Sequence, residues 1–238
     1  MYDYWAVLGL FGNKKVPLPP EKLRMGGVHF RSDSHFIAGA EKDVKSLVEF
    51  AGLNKNSRLL DWGCGAGRLA VGIRYKFGRI ADYHGVDVQP RLLNWASKNL
   101  TAPGYRFTLI DVTHRYYNPD GATSPSALPT PDSSVDIVYA YSVFSHLDGK
   151  DVEVYLRAIN SALVPGGRGW FTLFVEDDVP PESENPADYG PIEWKVPLHC
   201  VRFQRAHFEQ MCSAAGLRVE HFEYGQETDG QSLYVVAK

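Results

Sequence analysis

Residues 59–70 read Leu-Leu-Asp-Trp-Gly-Cys-Gly-Ala-Gly-Arg-Leu-Ala, and no other stretch of the chain restricts the fold as much. An apolar run ends in Asp61, passes glycines at 63, 65 and 67, and enters helix-forming residues. That is the pattern of a strand, a tight turn and a helix start. Glycine lets the backbone turn sharply and lets a ligand approach closer than a Cβ would allow. The helix start beyond it offers unpaired N–H groups. A loop built around pyrophosphate wants donors and positive potential. A carboxylate at its mouth points instead to a ligand that carries donors or positive charge of its own. The dinucleotide fingerprint G-x-G-x-x-G would need glycine where Arg68 stands, and the Gly-Lys-Ser/Thr of a P-loop is missing.

Alternating strands and helices surround this turn. Residues 33–51 place Phe36, Ile37, Ala40, Val44, Leu47, Val48 and Ala51 at helical spacing, with Ser32 or Asp33 as cap and Gly52 as stop. Strand 57–62 leads into the glycine turn, and the next helix turns Leu69, Ile73 and Phe77 inward. A second strand ends near Val86–Asp87, and Pro90 opens a helix with Leu92, Leu93, Ala96 and Leu100 on one face. Strand 105–110, strand 135–141, a helix near 150–163 and strand 168–175 follow, the last two separated by Pro165-Gly166-Gly167. A helix carrying Phe208, Met211, Cys212 and Ala215 precedes two closing strands, 217–224 and 232–237. Stretches 113–133 and 176–203 read as irregular loops. The whole predicts an α/β fold, a doubly wound and mostly parallel sheet with helices on both faces and an antiparallel strand at the end. Such sheets bind ligands beyond the carboxyl ends of their strands, where Asp61, Asp87, Asp111 and Tyr141–Ser142 fall.

Composition sets bounds. With 238 residues, 44% of them hydrophobic, the chain reads as one domain over 1–238. Residues 1–52 form an extension and helix suited to a lid, and 176–203 an insertion suited to a substrate cap. A net charge of −3 gives no pull toward nucleic acid or anionic membranes. Cys64, Cys200 and Cys212 lack metal-type spacing and suit free thiols in a reducing compartment. With no secretory signal or membrane span in the sequence, the expectation is a cytoplasmic protein.

The segment Asp61-Trp62-Gly63-Cys64-Gly65-Ala66-Gly67 resembles motif I (D-x-G-x-G-x-G) of class I S-adenosylmethionine-dependent methyltransferases. Residues 134–147, Ser-Val-Asp-Ile-Val-Tyr-Ala-Tyr-Ser-Val-Phe-Ser-His-Leu, resemble the region after the fourth strand in many bacterial members that act on small molecules or glycans. With Asp87, Asp111, the Pro-Gly-Gly turn and the final strand, the resemblance covers about residues 50–238. It implies a seven-stranded sheet and S-adenosylmethionine as cofactor. It also implies cofactor contacts at Asp61, Gly63, Cys64, Gly65, Gly67, Asp87, Val88, Asp111, Val112, Tyr141 and Ser142.

Each position also has a chemical reason. The ammonium and sulfonium of that cofactor suit Asp61. At the end of a strand, Asp87 can accept from both ribose hydroxyls. Asp111 and Val112 can meet an adenine edge, though an aspartate opening a loop looks the same in sequence. Ring density of Tyr141 can face a cation or simply pack in the core. His146 stands nearest the expected reacting methyl, and a neutral imidazole can take a proton from an attacking hydroxyl. A helix-start histidine bonded to backbone is the plain alternative, and His29, His35 and His199 are further bases in the cap segments. Trp5, Phe11, Phe30, Tyr189 and Trp194 populate the covering segments, as lid aromatics or as packing or dimer surface.

Other methyltransferase chemistries lose support. The Asn/Asp-Pro-Pro-Tyr/Phe of amino-methylating nucleic-acid enzymes is replaced by Tyr141-Ser142-Val143-Phe144. Asp148 and Asp151 do not reproduce the acidic metal site of catechol-type enzymes, so no metal is expected. The reading is therefore O-methylation of a small molecule or glycan. Its rivals are a protein or peptide methyltransferase or an N-methyltransferase of the same fold, and a non-catalytic S-adenosylmethionine-binding protein. A homodimer is compatible with either.

Overall fold

A computed structural model describes residues 16–238; Trp5 and Phe11 lie outside the described residues. Helix α1 runs Asp33–Ala51, and the Ser32 hydroxyl caps it by accepting from the His35 N–H at 3.2 Å. Gly52 ends it in the left-handed conformation at φ 73°. Then come β1 (Arg58–Trp62), α2 (Arg68–Phe77), β2 (Asp82–Asp87), α3 (Pro90–Leu100), β3 (Tyr105–Leu109) and β4 (Val135–Ala140). The second half holds α4 (Gly149–Ala162), β5 (Leu163–Glu176), β6 (Glu182–Glu184), β7 (Val201–Gln204), α5 (Arg205–Ala214), β8 (Arg218–Glu223) and β9 (Ser232–Ala237). Among the described residues no helix is long and apolar enough to cross a membrane.

The sheet runs β3-β2-β1-β4-β5, all parallel. β9 then pairs antiparallel with β5, and β8 antiparallel with β9. Side chains alternate between two cores as the period of two requires. Leu60, Val138, Phe171 and Tyr234 pack on one face with α4 and α5. Leu59, Ile137, Trp170 and Val235 pack on the other with α1, α2 and α3. The expected inward face of α3 is buried at all four positions, Leu92, Leu93, Ala96 and Leu100.

Two features differ from the sequence reading. The expected seven strands are present as β3-β2-β1-β4-β5-β9-β8, and two more, β6 and β7, extend the sheet to nine, because 176–203 is not irregular throughout. Val201 and Phe203 are buried in alternation with Arg202 and Gln204, and β7 pairs with Phe174–Glu176, past the last partner of β4. β6 adds to β7 antiparallel. In addition, β5 begins at Leu163 rather than 168. Val135 pairs with Leu163, but Ile137 pairs with Arg168, so Pro165-Gly166-Gly167 is an outward loop inside a strand.

Parallel register leaves the carboxyl ends of β1 to β4 open on one edge: Trp62 stands beside Val86, and Asp87 beside Leu109. The glycine turn sits there. Gly67 starts α2 at φ 83°, and a Cβ on it would run into Leu100 Cδ1 of α3. Gly67→Ala is therefore expected to lose about 3 kcal/mol, from left-handed strain and overpacking together. Gly78→Ala, at φ 74° but with nothing within 4 Å, loses about 1 kcal/mol. Urea unfolding of the two variants checks this; equal losses would contradict the packing argument.

Candidate active site

A cavity of about 410 Å³ opens at that sheet edge, within the size range of small-ligand sites. Among its walls are Asp61, Gly63, Cys64, Gly65, Asp87, Val88, Val112, Tyr141, Ser142 and His146. Residues distant in sequence are thus brought to one place. Gly67 and Asp111 are not in the wall. Gly67 serves the helix start described above. Asp111 is exposed and anchors the following loop: its carboxylate accepts from Asn118 Nδ2 at 3.2 Å, and its carbonyl accepts from the Thr123 N–H at 3.0 Å. These bonds tie it to the loop it opens.

The turn is fixed by backbone bonds. Val86 C=O accepts from the N–H groups of Gly63 and Cys64 at 2.9 and 3.0 Å, tying the turn to β2. The Gly65 N–H donates to Asp87 Oδ2 at 2.7 Å, and the Gln89 N–H donates to Oδ1 at 2.8 Å. Burial pushes the Asp87 carboxyl up, while these amides pull it down. The Val88 N–H adds a third backbone bond, and the two carboxylate oxygens together still hold acceptor capacity beyond these amides. A Cβ on Gly65 would meet nothing nearer than Leu92 at 4.0 Å, so the cradle is open over this residue.

Asp61 is 2% exposed and accepts from the Tyr83 hydroxyl. Burial raises its carboxyl to about 7, with Tyr83 and the Arg68 charge working against the rise. Arg68 lies between the rings of Phe30 and Tyr141, 4.4 and 4.1 Å from their centroids, and pairs with buried Asp43 of α1 at 2.9 Å. Burial would lower the guanidinium pKa, but Asp43 holds it up, and the group stays cationic. Arg68 thus covers one face of the Tyr141 ring, and Tyr141 still lines the cavity. Buried Cys64 keeps its thiol well above the usual range and fills space beneath the turn.

His146 sits in a short 3-10 turn, Phe144–His146, with three residues between it and the end of β4. Its Nδ1 lies 3.0 Å from Leu198 C=O, which can only accept, so Nδ1 carries the proton. Burial brings the imidazole down to about 4. The neutral ring then leaves an Nε2 lone pair, which accepts from the Tyr117 hydroxyl at 3.2 Å. His114 fixes that tyrosine: its Nδ1 accepts from the N–H groups of Tyr116 and Tyr117 at 3.1 and 3.0 Å, and its Nε2–H donates to His146 C=O at 2.8 Å.

Leu198 holds a left-handed φ of 54°, uncommon for a bulky side chain and costing about 1–3 kcal/mol. The Glu184 carboxylate secures it by accepting its N–H at 2.9 Å, and pairs on the other side with Arg115 at 2.9 Å. Both irregular segments thus converge on one imidazole. Sequence reasoning did not find Tyr117, His114 or Glu184, because nothing in their spacing marks them. Of the alternative bases, His35 is exposed and bonded to the Ser32 cap, and His199 lines the cavity beside Trp194.

A family model described as a methyltransferase domain matches residues 36–222. Phosphoethanolamine N-methyltransferase of Plasmodium falciparum (isolate 3D7) is 23% identical over 154 residues, 64% of this chain and 51% of that protein. The chain spans about half the length of that curated relative. Among solved structures, an S-adenosylmethionine-dependent methyltransferase from Mesorhizobium loti has a TM-score of 0.55 at 17% identity, over 85% of this chain and all of that one. The (4+2)-cyclase SpnF has a TM-score of 0.61 at 17% identity, over 83% and 81% of the two chains. These likenesses establish the fold.

A carboxyl raised to about 7 is neutral below that pH and ionised above it. A ligand ammonium favours the ionised form, so binding expels the proton wherever it was present, and affinity rises with pH to a plateau above about 7.5. Titrating S-adenosylhomocysteine at pH 6.5 in buffers of different ionisation heat should show release of about three-quarters of a proton, falling to nearly none at pH 8.5. Uptake, or no pH dependence, would contradict the placement of an ammonium at Asp61.

Proposed function

The chain belongs to the methyltransferase-domain family, and we propose that it moves the methyl group of S-adenosylmethionine to a hydroxyl oxygen of a small molecule or glycan. The observation that carries this reading is one cavity whose wall holds two buried carboxylates, Asp61 and Asp87, together with the hydrogen-bonded Tyr117–His146 pair. Asp61 and Asp87 suit the ammonium and the ribose hydroxyls, and the apolar Leu92, Ile110 and Val112 suit a nucleobase. S-Adenosylmethionine supplies a methyl carbon made electrophilic by its sulfonium.

The protein aligns the acceptor, excludes water and provides a path for one proton. The acceptor hydroxyl gives its proton to Tyr117 as Tyr117 gives its own to His146 Nε2. The resulting imidazolium keeps its Nδ1–H on Leu198 C=O. Charge balances, since a cationic donor leaves as a neutral thioether and one proton is stored on the protein. Alignment supplies the larger share of the rate, several kcal/mol where reactants are held in line. Residues 21–27 and 192–199 contribute Leu23, Arg24, Met25, Ile192, Trp194 and His199 to the wall, which supports their reading as covers. The curated relative's N-methyltransferase name makes nitrogen the second candidate. The neutral imidazole backed by a phenol favours oxygen, because a hydroxyl must lose its proton as it reacts.

The testing experiment incubates purified protein with methyl-labelled donor and a panel of alcohols, amines and glycosides, and identifies products by mass. On an accepted alcohol, His146→Ala should lower kcat by about 10²–10⁴-fold while leaving the Kd for S-adenosylhomocysteine within twofold. Tyr117→Phe should lower kcat in the same direction, because the relay hydroxyl is gone. An unaltered rate in both variants removes the proton path. Asp87→Ala should weaken the Kd for S-adenosylhomocysteine at least tenfold with the thermal midpoint little changed, and unchanged affinity would contradict the ribose assignment.

A further inference from the structure

We propose that the acceptor is an uncharged phenol whose ring lies against Trp194, itself backed by buried Phe174, and whose hydroxyl meets the Tyr117–His146 pair. This inference rests on the O-methyltransfer reading and narrows its substrate class. The first ground is the chemistry of the wall. Phe174 and Trp194 meet edge to face at 5.5 Å, and Trp194 meets His199 at 5.1 Å, forming an aromatic corner beside the proton path. The indole N–H is consumed by Tyr189 C=O at 2.6 Å, so Trp194 presents carbon surface to the cavity. Flat apolar rings suit such a corner.

The second ground is charge. Among the described cavity-lining residues the arginines are Arg24 and Arg68, and there is no lysine. Arg24 is engaged by Asp33 and by the carbonyls of Arg31 and Pro19 at 2.6 and 2.8 Å. Arg68 is engaged by Asp43 and two aromatic faces. Burial lowers both His114 and His146, and the Asp151 carboxyl also faces the cavity. A phosphate or carboxylate on the acceptor would be desolvated with no free arginine or lysine in the described wall to pair with, the His199 imidazole being the remaining basic group there, which is unfavourable.

The third ground separates a phenol from a sugar. Several polar groups of the cavity wall are already paired: Tyr117 with His146, His114 with three backbone groups, and Gln231 with Thr172 and Ser142. A polyol would find few free partners for its hydroxyls. An imidazole held near 4 is also a weak base. It is far better matched to a phenol, with a pKa of about 10, than to an aliphatic hydroxyl close to the ~15.7 of water.

Calorimetric titration of the protein loaded with S-adenosylhomocysteine tests this with 2-naphthol, 2-naphthyl phosphate and methyl glucoside. The first should bind at least tenfold more tightly than the other two, and with S-adenosylmethionine present should yield 2-methoxynaphthalene by mass. Trp194→Ala should weaken 2-naphthol binding about tenfold while the Kd for S-adenosylhomocysteine stays within twofold, which also shows the variant to be folded. Failure to bind S-adenosylhomocysteine overturns the donor reading and this inference with it. With the nucleoside bound, absent 2-naphthol binding, equal affinity for naphthol and its phosphate, or preference for the glucoside overturns the phenol assignment alone.

Discussion

Two carboxylates kept out of water at the ends of neighbouring strands are the constraint around which the site is arranged. Asp61 ends its strand one residue short of Trp62, and Asp87 closes the next strand over. Burying an acid is unfavourable unless hydrogen bonds or cations compensate. Asp87 receives that compensation from the amides of Gly65 and Gln89. The glycine turn therefore takes its shape partly from the acid beneath it. Asp61 receives less, a tyrosine hydroxyl and a nearby arginine, and its raised carboxyl records the shortfall. A ligand cation would complete what the protein leaves unfinished.

Arg68 shows how this tension is contained. In a dinucleotide fold glycine would occupy its place; here the side chain turns back into the protein, between Phe30 and Tyr141 and against Asp43. It supplies positive potential near Asp61 without standing free in the cavity. Helix α1, which supplies Asp43, is thereby tied to the site as well as to the core.

Much of the architecture is readable from the sequence because it is periodic. The four inward positions of α3, the Ser32 cap and the Gly52 stop of α1 all follow from spacing and local chemistry. The β6–β7 addition is hidden because four alternating residues directly before a helix resemble a helix entry, and the Pro-Gly-Gly loop conceals the early start of β5. At the site, the strand-end residues are legible because strand ends are. Tyr117, His114, Glu184 and Leu198 are not. Tyr117, His114 and Leu198 meet His146 from two long segments without period, across 29 to 52 positions of the chain, and Glu184 acts one step removed by holding Leu198. Asp111 illustrates the converse, an acid in the expected place that the loop turns to its own use.

The central claim is that the buried acids cradle the nucleoside of the methyl donor. A crystal structure with S-adenosylhomocysteine tests it most directly. Both ribose hydroxyls should lie within hydrogen-bond distance of the Asp87 carboxylate, with the amino-acid end of the ligand beside Asp61. A ribose turned away from Asp87, or a nucleoside seated anywhere but over the Gly63–Gly65 turn, would contradict it.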